Sequence, residues 1–256
     1  MPDRPERART PSDRASAGPA PSRPPTHAAR SGTLPRTGPR RVQRSLLSRA
    51  ERRLLLGLAR RLPAGVTPDR LTLLALLGAV LTGAATLAAG SHLAWLHAAS
   101  LGLAVHWFGD SLDGTLARVR NIRRERYGYF VDHQADAAAA VLILGALGLS
   151  PLARLDLALA LLGGYLLMMS LTHAVALTRG RFRLAYSGVG PTEVRLVLIA
   201  ANTAVWALGN PVLSLGPLQG TIYDAVCAVG AVLLTGTWLV ATLQTTRTLA
   251  RLDPPR

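Results

Sequence analysis

Four aspartates, Asp110, Asp113, Asp132 and Asp136, fall in one short stretch that reads FGDSLDGTLARVRNIRRERYGYFVDHQAD, from Phe108 to Asp136. The chain on either side is mostly Leu, Ala, Val and Gly. An ionised Asp at the centre of a membrane helix costs about 2.5–3.5 kcal/mol on insertion scales, and four that converge also repel one another. The arrangement makes sense if cations occupy the space between them. Clustered carboxylate oxygens select hard divalent ions, Mg²⁺ first, with Mn²⁺ or Ca²⁺ as alternatives. Four carboxylates suit two such ions, and a pair of divalent ions is a common clamp for phosphoryl transfer. A proton or cation path across a membrane is the competing use of the same residues.

Helical geometry says how these groups could meet. At about 100° per residue, Asp110, Asp113, Gly114 and Ala117 share one arc of a helix. Gly128, Asp132 and Asp136 recur every fourth residue and form one stripe on the next helix. A short basic loop joins the two, so they are expected to run antiparallel as neighbours with their acidic faces together. Gly114 and Ala117 leave room for a bulky ligand beside Asp113. Arg118, one turn beyond Gly114, suits a phosphate or an aspartate.

The elements that must position these residues are membrane helices. The 256 residues are 49% hydrophobic and 17% charged, with a net charge of +15. Charge and apolar residues occupy different places. Residues 1–43 hold nine Arg against three acids and are rich in Pro, Ser and Ala, a composition expected to stay disordered. This tail lacks the apolar core of a secretory signal. Residues 44–66 open with RSLLSRAERRLLLGLARRL, which alternates apolar and basic residues with helical period. Leu46, Leu47, Ala50, Leu54 and Leu58 fall on one side, the pattern of a helix lying in the membrane interface with its arginines near lipid phosphates. Thr67 and Pro68 are placed to cap and open the next helix.

Six apolar segments follow within residues 67–250, at about 70–89, 93–117, 129–150, 153–178, 191–209 and 222–246, by length criteria for a bilayer. The predicted class is therefore all-α integral membrane, six transmembrane helices preceded by an amphipathic interfacial helix. The connections RVRNIRRER, RGRFR and RTLARL are basic, whereas AGSH and GNPVLSLGPLQGT carry no Arg. The positive-inside rule puts both termini and the Arg-rich loops in the cytoplasm. Only Arg154, close to Asp156, departs from the alternation. The single cysteine, Cys227, allows no internal disulfide and reads as a small core residue.

The stretch DSLDGTLAR followed by GYFVDHQAD resembles the signature of the CDP-alcohol phosphatidyltransferases, D-x-x-D-G-x-x-A-R, a spacer, then G-x-x-x-D-x-x-x-D. All eight signature positions are present: Asp110, Asp113, Gly114, Ala117, Arg118, Gly128, Asp132 and Asp136. The resemblance covers everything but the N-terminal tail. The spacer departs from it, with nine residues, VRNIRRERY, in place of eight. The resemblance implies transfer of a phosphatidyl-type group from a CDP-linked, CDP-diacylglycerol-like donor to an alcohol, with release of CMP, in phospholipid biosynthesis. It implies two divalent cations, Mg²⁺ or Mn²⁺, held by Asp110, Asp113 and Asp132. Asp136 would be the general base and would also touch a metal. Gly114, Ala117, Arg118 and Gly128 would line the nucleotide site, with Asp69 and Thr72 of VTPDRLT contributing. It implies a homodimer among membrane lipids, in the plasma membrane of a bacterium, with no nucleic-acid partner.

The acceptor alcohol is less legible. Relatives that use a phosphorylated acceptor carry basic residues at the start of the fifth span and on the fourth. Arg195 meets the first requirement and Arg179 lies at the adjacent loop, so these two are the acceptor-binding candidates. The fourth span has no equivalent of the second. His133 lies about 100° round its helix from Asp132, off the acidic stripe. It reads as a packing or interfacial histidine, with general base as the alternative, and His173 as a helix–helix hydrogen-bonding residue, with the acceptor pocket as its alternative. The rival class is a cation- or proton-coupled membrane transporter. No internal repeat of hydropathy and no second acidic pair in spans four to six accompany it. An inactive scaffold is a third reading.

Overall fold

Thr67 caps a helix as its position predicts. Its hydroxyl accepts the backbone N–H of Arg70 at 3.3 Å, and Pro68 stands in the first turn, where no intrahelical donor is lost. The helix so begun is α2 (Pro68–Ala88). The computed structural model describes residues 40–42, 48–179, 181–183, 191–215 and 218–254. Before α2 come a short strand, β1 (Arg40–Val42), and α1 (Ser48–Arg61). After it come α3 (Trp95–Val119), α4 (Glu125–Leu149), α5 (Leu155–Arg179), β2 (Arg181–Arg183) and α6 (Pro191–Leu208). The hairpin strands β3 (Leu213–Leu215) and β4 (Leu218–Gly220) lead into α7 (Ile222–Leu252). Residues 40–42, at the end of the segment expected to be disordered, pair in parallel with β2. The rest of that segment lies outside the described residues.

All six apolar segments form helices. The largest differences from the expected bounds are at α4, which starts at Glu125 rather than 129, and at α7, which runs to Leu252 rather than 246. Among the described residues, four helices are long and apolar enough to cross a bilayer: α2, α4, α5 and α7. The prediction of six spans is thus met by four on length and composition. The two others have polar side chains within their apolar runs: His106, Asp110 and Asp113 on α3, and Glu193, Arg195 and Asn202 on α6. Large apolar side chains face outward, among them Leu73, Leu77, Val232 and Leu233, each more than half exposed. Water would not tolerate such a surface, and lipid would.

The helix pair α2–α3 is the framework. A Cβ on Gly78 would lie 2.5 Å from the His106 backbone nitrogen, and one on Gly102 would lie 2.7 Å from that of Thr82. The two backbones touch through these small residues, as membrane helices do when lipid offers no hydrophobic drive to pack. At the other end of α3, Asn121 takes a positive φ of 56°, Asn121 N–H bonds to the Arg118 carbonyl and Ile122 N–H to that of Ala117. That pair of bonds closes a helix C-terminus and turns the chain. Arg120, beside this turn, donates to the carbonyls of Leu62 (2.9 Å), Pro63 (2.7 Å), Ala64 (3.2 Å) and Val66. One guanidinium thus holds the whole α1–α2 connection.

The helix α1 packs on α3 through Leu55 and Ala59, with Leu58 of the expected apolar face beside them. Leu55 and Ala59 are buried with Leu71, Leu112 and Leu116, while Leu54 is half exposed. Glu51 on the same stripe accepts from Trp107 Nε1 at 3.0 Å and from the Thr192 hydroxyl at 2.7 Å. These bonds select the face: a stripe carrying Glu51 satisfies buried donors of α3 and α6. Of the predicted face, Leu46 and Leu47 lie outside the described residues. At the far end of the molecule Tyr223 and Cys227 are buried in a second core with Leu96, Leu147 and Val205, as expected of Cys227. The α7 cap is reciprocal there, Thr221 and Asp224 each bonding the other's backbone N–H.

Candidate functional site

Gly109 brings α3 against α2. A Cβ there would run into the Leu71 carbonyl and, at 2.6 Å, the Ala75 nitrogen. This close approach puts Asp113 beside Thr72, whose hydroxyl donates to Asp113 Oδ2 at 2.7 Å, while Oδ1 accepts the Gly114 N–H. Asp113 is buried. Asp110, one turn earlier, points into a group with Asp132 and Asp136 of α4. One carboxylate oxygen from each lies within 4.8 Å of the others. The stripe Gly128–Asp132–Asp136 and the Asp110 arc therefore do face each other. Asp113 stands outside this group of three, close enough to Asp132 and Asp110 to feel their charge.

The two acidic helices were expected to pack as direct neighbours. Instead α2 packs against both, and α3 and α4 make little backbone contact. The carboxylates reach into the gap between them. A group of acids needs such a gap if anything is to sit among them.

Arg195 of α6 closes the group on one side. Its Nη2 lies 2.6 Å from Asp110 Oδ2 and 3.2 Å from His106 Nε2. Both members of the ion pair are mostly buried, 11% and 20% exposed. The acceptor candidate Arg195 thus borders the acidic group directly. Arg179 ends α5, and its side chain lies outside the described residues.

The predicted nucleotide residues flank the open side. A Cβ on Gly114 would meet only Arg118 Nη1, at 3.5 Å, and one on Gly128 would meet nothing within 4 Å. Arg118 Nη2 donates to the Thr115 hydroxyl at 2.8 Å, and Ala117 is half-buried. Asp69, in the first turn of α2, pairs with Arg124 of the α3–α4 loop at 2.5 Å, both exposed. That bond raises the Arg124 guanidinium above its ordinary value, and Arg124 also stands 4.0 Å over the Tyr127 ring. Part of the nine-residue spacer is helical: Val119 ends α3, and Glu125 to Tyr127 open α4.

His133 and His173 meet between α4 and α5, and His133 Nδ1 also lies 3.8 Å from Asp132 Oδ2. Their ring centroids are 4.4 Å apart, with Tyr129 4.2 Å from His133. Each Nδ1 faces a carbonyl one turn back, Tyr129 and Met169.

Sequence reasoning missed two residues here. His106 lies four residues before Asp110, on the same face, and that spacing could have found it. Tyr165 of α5 is near enough to Asp136, Asp110 and Asp132 to interact with their charge; nothing in its apolar run signals this.

No curated relative matches the chain in direct comparison. A family model does: that of the CDP-alcohol phosphatidyltransferases matches residues 65–246, from the turn before α2 into α7, with the whole acidic group inside it. The family implies a CDP-linked substrate, an alcohol acceptor and divalent cation use, and its enzymes transfer substituted phosphate groups in phospholipid synthesis at a membrane. With most of the chain covered and the three acids held by two of the matched helices, the protein belongs to the CDP-alcohol phosphatidyltransferase family.

Proposed function

We propose that the protein moves a phosphatidyl-type group from a CDP-diacylglycerol-like donor to an alcohol and releases CMP, and that it needs two divalent cations, Mg²⁺ or Mn²⁺. One observation carries this reading. Asp110, Asp132 and Asp136 come from two helices, are half-buried, and offer oxygens within 4.8 Å of one another. Hard carboxylate oxygens with no thiol among them fit hard divalent ions. Asp110, Asp132 and Asp136 would hold these ions, with Asp113 completing the set. When bound, the ions would neutralise the donor diphosphate and the charge that builds on departing CMP.

The chain's own residues do the rest. Asp136 takes the proton of the acceptor hydroxyl, the work of a positioned general base. Thr72 holds Asp113 in one orientation. Gly114, Ala117 and Gly128 leave the donor room against the backbone, and Arg118 offers N–H groups to its phosphates. Asp69 lies at the rim with Arg124. Arg195 and Arg179 are the candidates for binding the acceptor. The arrangement suits six spans, with α3 and α6 crossing inside the bundle where their polar residues meet each other rather than lipid. α1 lies along the cytoplasmic interface, its exposed arginines at lipid phosphates. The active protein is a homodimer.

The test is CMP release by purified protein given Mg²⁺, a CDP-lipid and a panel of alcohols. Asp136→Asn lowers the rate about 10²–10⁴-fold and weakens CDP-lipid binding far less than it lowers the rate. Chelation abolishes release and Mg²⁺ restores it. Ion flux in liposomes with no CMP under any acceptor would instead make the protein a transporter.

A further inference from the structure

Asp110 is claimed from two sides. Its Oδ2 accepts from Arg195 Nη2 at 2.6 Å, and its carboxylate belongs to the group with Asp132 and Asp136. The arginine does not reach Asp110 by chance of rotamer. Its Nη2 also lies 3.2 Å from His106 Nε2, and His106 Nδ1 lies 3.2 Å from the Ala75 carbonyl. A guanidinium can only donate and a carbonyl can only accept. One tautomer satisfies both: the proton on Nδ1, donated to Ala75, and the Nε2 lone pair facing Arg195. His106 is buried, on the segment of α3 whose backbone touches α2 at Gly78. The imidazole is therefore a fixed acceptor that aims Arg195 at Asp110.

Resting on the reading that these aspartates hold divalent cations, we propose that Arg195, placed by His106, competes with the cation for Asp110 and so sets the cation affinity of the site. A metal ion that takes Asp110 Oδ2 displaces or shares with a charge-assisted hydrogen bond, and it does so beside a fixed positive charge. Both effects weaken binding. The site carries a built-in counter-charge, which keeps three neighbouring carboxylates compatible and makes cation entry readily reversible. His106 is a positioning residue in this scheme; it acts only through Arg195.

The experiment reads Mn²⁺ binding directly, by the spin-resonance signal of free Mn²⁺ titrated into purified protein without nucleotide. Arg195→Gln and His106→Leu bind Mn²⁺ roughly tenfold more tightly than the parent, the scale of one lost charge-assisted bond. His106→Gln, whose amide can accept from Arg195 and donate to Ala75, stays within about twofold. Unchanged or weaker Mn²⁺ binding in the first two, with cooperative melting retained, overturns the proposal. So does a His106→Gln that behaves like His106→Leu. Should Arg195→Gln fail to fold, the two His106 variants decide the matter alone. The parent separates this failure from that of the enzyme reading. A parent that binds no Mn²⁺ and releases no CMP sinks both, whereas one that does both and is insensitive to these substitutions sinks only the competition.

Discussion

Asp113 differs from the other aspartates in what holds it. It is buried, and the Thr72 hydroxyl 2.7 Å away is its side-chain partner. Replacing Thr72 by Val keeps the shape and removes the donor, leaving a buried carboxylate short of a bond at a cost of about 1–3 kcal/mol. Thr72→Val should lower the thermal midpoint in detergent and slow CMP release, and Thr72→Ser should restore both. Thr72 was legible as a site residue only through resemblance. Its partner lies 41 positions away, and no periodicity reports a bond over that distance. The aspartates themselves were legible because fourfold spacing maps onto a helix face without any knowledge of its neighbours. Asp113 shows the limit of that argument, since sharing an arc with Asp110 did not place it in the same group of three.

At the scale of elements, helices were easy to read and their contacts were not. Long apolar runs with Thr67 and Pro68 at one boundary leave few alternatives to a helix. Arg120, by contrast, reads like any loop arginine that sets topology, yet it spans four carbonyls of the α1–α2 connection. Arg120→Ala should lower stability by about 1–3 kcal/mol, seen as a reduced melting midpoint, and Arg120→Lys, with three donors, should recover only part. Gly109 carries the second prediction. Gly109→Ala drives a methyl into the α2 backbone at Leu71 and Ala75. Overpacking of this kind costs about 1–3 kcal/mol, and the shift reaches Asp110 and Asp113 directly. Activity should therefore fall further than the melting midpoint alone accounts for. On α1, hydrophobicity alone weighed Leu54 and Leu55 equally; Leu58 of the predicted face packs on the core, whereas Leu54 is half exposed and Leu55 is buried. The tie is broken by Glu51, which must find Trp107 and Thr192.

At the scale of the whole molecule the number of helices that cross decides on which side the acids open. Composition supports four, and the polar content of α3 and α6 is what a catalytic bundle would hide inside. A pair of single cysteines checks this, because native Cys227 is fully buried and gives little background. Ser91→Cys, in the α2–α3 turn, should label with an impermeant maleimide from outside intact cells. Arg123→Cys, in the α3–α4 loop, should label only after permeabilisation. Labelling of both from the same side would remove α3 as a span.

The backbone contact of α2 with α3 has a mechanical consequence. Two helices joined through Gly78, Gly102 and Gly109 cannot slide past each other, so Asp110 and Asp113 ride on one stiff block. α4 is pinned to that block near Gly83, where a Cβ would lie 2.9 Å from the Leu142 carbonyl. Its other end is tied to the same block by the Arg124–Asp69 ion pair and to α5 by the packing of His133 on His173. α4 is thus held at both ends, and the width of the gap between the acids is set by packing along its whole length.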